Sequence, residues 1–351
     1  MREAVTPGTK TEAATAGRRP TIKDVAEAAE VSRSTASRAL TGRGYVAPAV
    51  RERVRRTAQT LGYVPDVLAR NLRQQVSRSI GVLVSDLRNS FYADLASGIS
   101  RQSRQRGYAM MLADDHGSIA AELEAAETFV ALRVAGVILT PLSADVSEYL
   151  GRHQIPVIEV DRQFAEGKQD AVVVDNRAAA ERVTSRLLGI GHRRVALLID
   201  EMDWTTGRDR LVGYRSAFLA AGIPADDTLV VRSGWDVGAA QEVARGLLST
   251  PDRPTAVFAA NNVLAEGVWR AAQDLGLRIP EDISLVSFDD APWMTMVRPG
   301  VTAVAQDAVA LGEAAVAQMF HRIENPTSPA RTVMLSVSVE QRGSTAPPAT
   351  A

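Results

Sequence analysis

The sequence predicts an α/β protein in three parts: a small basic head of three helices, a short basic linker, and two doubly wound parallel-sheet lobes. Three observations lead there. Charge is unevenly divided: residues 18–78 carry 13 Arg or Lys against 5 Asp or Glu, while all 351 residues sum to −1. Two helical patterns stand back to back in "TIKDVAEAAE" and "VSRSTASRAL", residues 21–40. From Ser79 onward, short apolar runs alternate with amphipathic helical runs, the mark of βαβ units. A chain of this length holds two or three domains.

Composition narrows the function. There is no cysteine, hence no disulfide, thiolate metal site or cysteine nucleophile. His116, His153, His192 and His321 are scattered without metal-ligand spacing. No phosphate loop or serine elbow is present. The reading is of a protein that is not an enzyme, with no cofactor and no metal. No run approaches ~18 apolar residues, and the N-terminus lacks a signal-type apolar segment, so a cytoplasmic location is expected. Residues 1–18 and 343–351, "GSTAPPATA" at the latter end, read as disordered tails.

The head is expected over 19–63. Thr21 caps a first helix with Asp24 completing a short capping box, and Ile22, Val25, Ala26 and Ala29 recur at helical spacing. Ser32 caps a second helix whose Ala36, Ala39 and Leu40 face inward. Pro48 opens a third that carries Val50, Val54 and Leu61 and stops at Gly62. Two helices on a tight turn with a third across them form a helix-turn-helix, so the head is a candidate DNA-binding domain. In that motif the second helix enters the major groove. Arg33, Ser34 and Arg38 are then placed for base edges, arginine being the usual partner of guanine. Thr21, Ser32 and Ser37 suit phosphates; Thr35 and Tyr45 complete the candidate DNA-contact set. "GRGYVA", residues 42–47, matches a loose dinucleotide fingerprint but lies between helices rather than after a strand.

The linker, 64–78, begins at Pro65, which blocks a continuing helix, and Asp66 can cap a short basic one. A helix this short is marginal in water unless something holds it. The order "TIKDVAEAAEVSRSTASRAL", "YVPDVLARNLR", "SIGVLVSD" resembles the LacI family of bacterial transcription regulators. The resemblance covers residues 20–342. It implies that the linker is a hinge helix, ordered when two copies meet in the minor groove, with Leu72 as the wedge and Ala69 and Arg73 as flanking contacts. An apolar wedge of this kind kinks the duplex. Two departures concern packing: Ala36 replaces a frequent valine, and Ala47 replaces a serine cap.

The body, 79–342, then resembles a periplasmic-binding-protein-like effector domain of type I. The resemblance implies three crossings between lobes, near 175, 304 and 332. The N-lobe is expected at about 79–175 and 305–332, the C-lobe at about 176–304 and 333–342. Ligands of open parallel sheets bind beyond the strands' carboxyl ends, and those ends are polar here: Asp86, Asp114, Asp161 with Arg162, Asn176, Asp200, Asn261, and Asp289 with Asp290. Any one of them could instead cap the next helix. Matched to the family, Phe91, Asp161, Arg210, Trp235, Asn261 and Asp289 become effector positions, with Arg162 beside them. The family's "AND" is "ANN" here, and position 308, aromatic in some sugar-sensing members, is alanine. Trp204 and Trp293 fit pocket walls or surface packing equally, and His192 reads as a turn residue before a strand. The resemblance implies a repressor that binds a near-palindromic operator as a homodimer and is released by a small sugar. A corepressor, a purine or a protein partner, is the rival, and a sugar-acting enzyme with a fused helix-turn-helix is the more remote one.

Overall fold

The computed structural model describes residues 20–42, 44–63, 77–164, 166–200 and 204–349. It divides into two compact units, Met1–Gln75 and Val76–Ala351. The proposed hinge residues Ala69, Leu72 and Arg73 lie outside the described residues.

The first unit holds α1 (Ile22–Ala28), α2 (Arg33–Thr41) and α3 (Pro48–Thr60). Thr21 starts α1 with a full capping box: its Oγ1 accepts from the Asp24 amide, and its own amide donates to Asp24 Oδ2 at 2.6 Å. Ser32 Oγ accepts the Thr35 amide at 3.1 Å and starts α2. Between them Glu30 takes a left-handed φ of 53°, which turns the chain sharply. Ala47 offers no side chain to α3, whose start relies on Pro48 alone. Val25, Ala26, Ala29, Ala36, Ala39, Val46, Val54 and Ala58 form the core. These are small side chains, so the three helices can pack closely.

The second unit holds two six-stranded sheets. The chain first lays down β1 (Ser79–Val84), α4 (Ser90–Gln105), β2 (Ala109–Asp114), α5 (Ile119–Ala131), β3 (Gly136–Leu139), α6 (Asp145–Arg152), β4 (Val157–Val160) and β5 (Asp170–Val174). It then crosses to α7 (Asn176–Gly189), β6 (Val195–Ile199), α8 (Thr205–Ala220), β7 (Val230–Arg232), α9 (Val237–Leu248), β8 (Ala256–Ala259), α10 (Asn262–Asp274), β9 (Ser284–Phe288), α11 (Trp293–Met296) and β10 (Thr302–Ala305). It returns for α12 (Ala308–Glu324) and β11 (Thr332–Leu335) and finishes with β12 (Ser338–Glu340). The sheet orders are β11-β5-β4-β3-β1-β2 and β12-β10-β9-β8-β6-β7. Every pairing is parallel except β10 with β12. The inner strands β1, β3 to β6 and β8 to β10 are largely apolar and buried, as parallel sheets demand, while the edge strands β2, β7, β11 and β12 are partly exposed.

Helix packing explains the return of α12 to the first lobe. A Cβ on Gly98 of α4 would overlap the Val309 carbonyl, and one on Gly312 of α12 would overlap the Leu95 carbonyl. Glycine at both points lets the two helices touch backbone to backbone. Asp170 fastens the same corner. It accepts from Arg322 Nε at 2.7 Å, Gln318 Nε2 at 3.0 Å and the Arg331 amide at 2.8 Å. Burial pushes its carboxyl up, but these hydrogen bonds outweigh that and hold it below the usual aspartate value.

Two expectations need correction. The third crossing falls after Leu335, not near 332. Thr332–Leu335 pairs in register with Ala171–Val174 as an edge strand of the first sheet, because an apolar run beside β5 satisfies that open edge. Residues 343–349 are not a loose tail. Ser344 is fully buried; its carbonyl accepts the Leu285 amide at 2.9 Å and its Oγ accepts the Thr302 amide at 2.8 Å. The Ala346 amide donates to Ser284 Oγ at 3.1 Å. Composition registered only small and polar residues; they serve as backbone partners for strands β9 and β10.

Candidate DNA interface and effector cleft

In the first unit Ser32, Arg33, Ser34 and Arg38 are exposed on α2, with Thr35 and Ser37 half-buried. The capping requirement sets this presentation: Ser32 must face the helix start, so its neighbours turn outward. Ser32, Ser34 and Thr35 hydroxyls form a hydrogen-bonded cluster, with separations of 2.9 and 2.8 Å from Ser32 Oγ. Arg38 Nε donates to the Ser34 carbonyl at 3.3 Å, which lays the side chain along the helix. Tyr45 stands almost free at 86% exposure. Thr21 Oγ1 is committed to Asp24. Helix N-termini and a run of arginines give this face a positive potential suited to a polyanion.

In the second unit the candidates converge between the lobes. Asp161 follows β4 and Asp289 follows β9, each in the left-handed region at φ 67° and 65°. Each sits at 7–8% exposure, and Arg162 and Arg210 at 4%. Arg210 Nε donates to Asn176 Oδ1 at 2.9 Å, its Nη1 donates to the Ala260 carbonyl, and its guanidinium lies 3.6 Å from the Phe288 ring centroid. Gln306 Nε2 donates to Asp289 Oδ1 at 2.5 Å. Burial pushes the Asp289 carboxyl up to about 6; Arg210 opposes and Asp161 assists. Burial likewise raises Asp161 against the pull of Arg162 and Arg210. The two carboxyls are faced by Arg162 and Arg210, so the cleft pairs buried acids with buried bases.

Arg162, expected beside the effector positions, is also tied to the wall of the cleft. Its Nη1 donates to Ser85 Oγ at 3.1 Å, its Nη2 to Tyr92 OH at 2.7 Å, and its guanidinium stacks 3.8 Å from the centroid of Trp204. Its Nη1 and Nη2 are bonded to protein, which braces the cleft wall, while its buried Nε has no hydrogen-bond partner. Trp204 is thereby a cleft residue. Trp293 instead packs on Trp269, centroids 6.2 Å apart, inside the second lobe. Asn261 does cap α10, its Oδ1 accepting the Leu264 amide, while its Nδ2 donates to Asp200 Oδ2 at 2.9 Å. Phe91 meets Tyr92 edge-on at 5.2 Å. Trp235 lies against Gly117, where an added Cβ would fall 2.6 Å from the ring.

The lobes touch across this cleft. Asn262 Nδ2 donates to Asn89 Oδ1 at 2.9 Å, and the Gln163 amide donates to Thr205 Oγ1 at 3.1 Å. Sequence reasoning missed Tyr92, Ser85, Asn89 and Gln306. Gln306 carried one usable signal: it falls between a strand end and a helix-capping aspartate, where cleft residues gather. His192 is a buried structural histidine, its ring bonded to Thr255, Ser284 and the Ala346 carbonyl; burial lowers its pKa. Among the described residues no group of three His, Cys, Asp or Glu could hold a metal ion, and no helix is long and apolar enough to cross a membrane.

Comparison with known proteins joins the two units. Residues 21–66 match the family described as bacterial regulatory proteins, lacI family, and residues 184–345 match the periplasmic binding protein-like domain. The ribose operon repressor of Escherichia coli is 32% identical over 92% of this chain and 99% of its own length. A solved complex of the transcriptional regulator CelR with cellobiose aligns at TM-score 0.70 and 29% identity, covering 93% of this chain and all of that one. The Lac repressor dimer bound to operator and the anti-inducer ONPF aligns at TM-score 0.83 and 25% identity, over 94% of this chain and all of that one. With a capped helix-turn-helix in its N-terminal part and a two-lobed cleft in the rest, and a relative 32% identical over 92% of its length, the chain belongs to the LacI family of bacterial transcription regulators.

Proposed function

We propose that this regulator is a sugar-responsive repressor. Residues 19–63 bind a near-palindromic operator as part of a homodimer, with 64–78 as the hinge and Leu72 as its minor-groove wedge; a sugar in the 79–342 body releases it. The observation that carries the sugar reading is the set Arg210, Asn176, Asp161 and Asp289, buried between lobes with Gln306 half-buried on Asp289, and with Phe288 on Arg210 and Trp204 on Arg162. Carboxylates and amides bond hydroxyls, and aromatic faces cover a ring. The ribose operon repressor and the CelR–cellobiose complex support the same class. For dimerisation, edge strand β2 and helix α5 leave Leu112, Ile119 and Leu123 exposed, an apolar surface that a second copy would cover.

Release requires the ligand to prefer one arrangement of the lobes. Such couplings are typically about 1–3 kcal/mol. Footprinting of the purified protein on its own upstream region, with a panel of mono- and disaccharides, tests this reading. Protection of a two-fold site that one sugar abolishes is the expected result; protection that every sugar leaves intact refutes the inducer role. On the same site Arg33→Ala should cost about 1–3 kcal/mol at one or two base pairs. A uniform loss over all sequences would make Arg33 a phosphate contact.

A further inference from the structure

All six strands of the first sheet run parallel, so their starts share one edge. An exposed base stands shortly before each. In sheet order these are Arg331 before β11, Lys168 before β5, Arg152 before β4, Arg133 before β3, Arg78 before β1 and Arg106 before β2. At about 4.8 Å between strands the row is roughly 24 Å wide, the length of about seven base pairs. Among the described residues the arginine ion pairs of this lobe join Arg88 to Asp86, Arg101 to Glu313, Arg162 to Asp161 and Arg322 to Asp170, and none of the six bases enters one. The nearby acids are Asp170, buried and held by Arg322, and the exposed Glu324 at the end of α12. Glu166 lines the space beside Asp161 and Asn176 instead. Cations at helix ends offset the macrodipole, but that pull acts equally on the second lobe, where the outcome differs. There the turns into β6, β7, β8 and β9 mix both signs. Arg194 pairs with Asp226 at 3.3 Å and Asp252 at 3.1 Å, Arg278 pairs with Asp282 at 2.9 Å, and Asp227 and Glu281 add further carboxylates. The row also stands out against its surroundings: residues 1–78 carry +8 and the whole chain −1, so residues 79–351 carry −9.

We propose that this row is a second duplex-binding face, which holds the phosphate backbone of DNA without reading its sequence. The proposal rests on the DNA-binding reading of the head and extends it to the body. DNA is chosen over other polyanions because of where the chain runs: Ser77 and Arg78 bring the linker into the body at this edge. The thirteen residues between Tyr63 and Ser77 reach at most about 45 Å, so a duplex gripped by the head stays near the row. Exposed guanidinium and ammonium groups spaced along a sheet edge suit phosphates, which carry no sequence information. Under the hinge reading above, an operator wedged from its minor groove bends toward its major groove, away from the wedge. The row therefore acts on straight duplex of any sequence, and it favours the search for an operator over the grip on one.

Binding of the full chain to a long duplex of scrambled sequence, over a range of salt, tests it. Combined Arg152→Gln, Lys168→Gln and Arg331→Gln should weaken binding about tenfold and make the plot of log K against log salt shallower by about 2–3. A control removes as many charges from the second lobe through Arg182→Gln, Arg186→Gln and Arg245→Gln, all exposed. It should keep affinity within about twofold and leave the slope as it was. Thermal melts confirm that both variants are folded. In the first-lobe variant, affinity for the footprinted two-fold site should fall less than affinity for scrambled duplex. An equal fall on both duplexes overturns the assignment to straight DNA. Equal losses in the two variants overturn the proposal by reducing the effect to net charge. Unchanged scrambled-duplex binding in the first-lobe variant also overturns it, and returns the row to an acidic protein or a free anion. If the unaltered chain binds no duplex at any salt, the DNA-binding reading of the head fails instead.

Discussion

Asp161 and Asp289 occupy equivalent places in the two lobes. Each follows the third strand in its sheet order, each has a left-handed φ, and each carries a raised carboxyl pKa. Their neighbours differ. Asp161 is followed by Arg162, which turns inward and is bound by Ser85 and Tyr92 of its own lobe and by the face of Trp204. Asp289 is followed by Asp290, which turns away to a pair of hydrogen bonds with Arg342. The charge near Asp289 comes instead from Arg210, held by Asn176 and the Ala260 carbonyl from other elements. One strand-end position thus carries its own arginine in the first lobe and, in the second, a carboxyl faced by an arginine from another element. Local sequence decides between them, because an arginine one residue on can fold back over its own aspartate's site.

The largest expected effect breaks this contrast if it fails. Arg162→Ala strands a buried carboxylate and removes donors from Tyr92 and Ser85, so chemical unfolding should show a loss of about 3–5 kcal/mol. Arg210→Ala should lose less stability and nearly all ligand response; equal losses in both assays would erase the distinction. Next in size is a pH effect. Folded Asp289 keeps its proton to about pH 6, while an unfolded aspartate releases it near ~3.9. The folded state therefore holds more protons across that window, and stability falls as pH rises through it. Asp289→Asn should raise ligand-free stability at pH 7 by about 2 kcal/mol and reduce the slope between pH 4 and 6, the rest of which comes from Asp115, Glu122 and Asp161, also raised by burial. An unchanged slope would place the titration on those other carboxyls. Smaller still, Gly117→Ala puts a Cβ on a residue at φ 72° against Trp235. Weaker ligand binding with an unfolding loss of about 1–2 kcal/mol is expected; calorimetry separates the two. The smallest change is Ser32→Ala, which removes a helix cap worth about 1 kcal/mol. It should lower the melting of the first unit and leave the lobes untouched.

The first unit was almost fully legible in sequence, since its determinants are local: Thr21 with Asp24, Ser32 with Thr35, Pro48 at a helix start. The alternation of strands and helices was legible for the same reason. The cleft was legible residue by residue and not as a constellation. Asn89 and Asn262 lie 173 positions apart, and nothing in either neighbourhood announces the other. Arg162 was identified as a cleft residue, but its role as a brace depended on Trp204 and Tyr92, whose approach only the folded chain sets. The C-terminal segment misled for a related reason: Ser344 is stabilised by main-chain groups of distant strands, and composition is blind to those.

That segment has a practical consequence. Cutting the chain at Arg342, a natural choice for anyone trimming a Pro- and Ala-rich end, would strip the amides of Leu285 and Thr302 of their acceptors and leave the His192 ring short of one bond. Affinity tags and fluorescent fusions are better joined at the other terminus, and a shortened body used for crystallisation should run to at least Ala346.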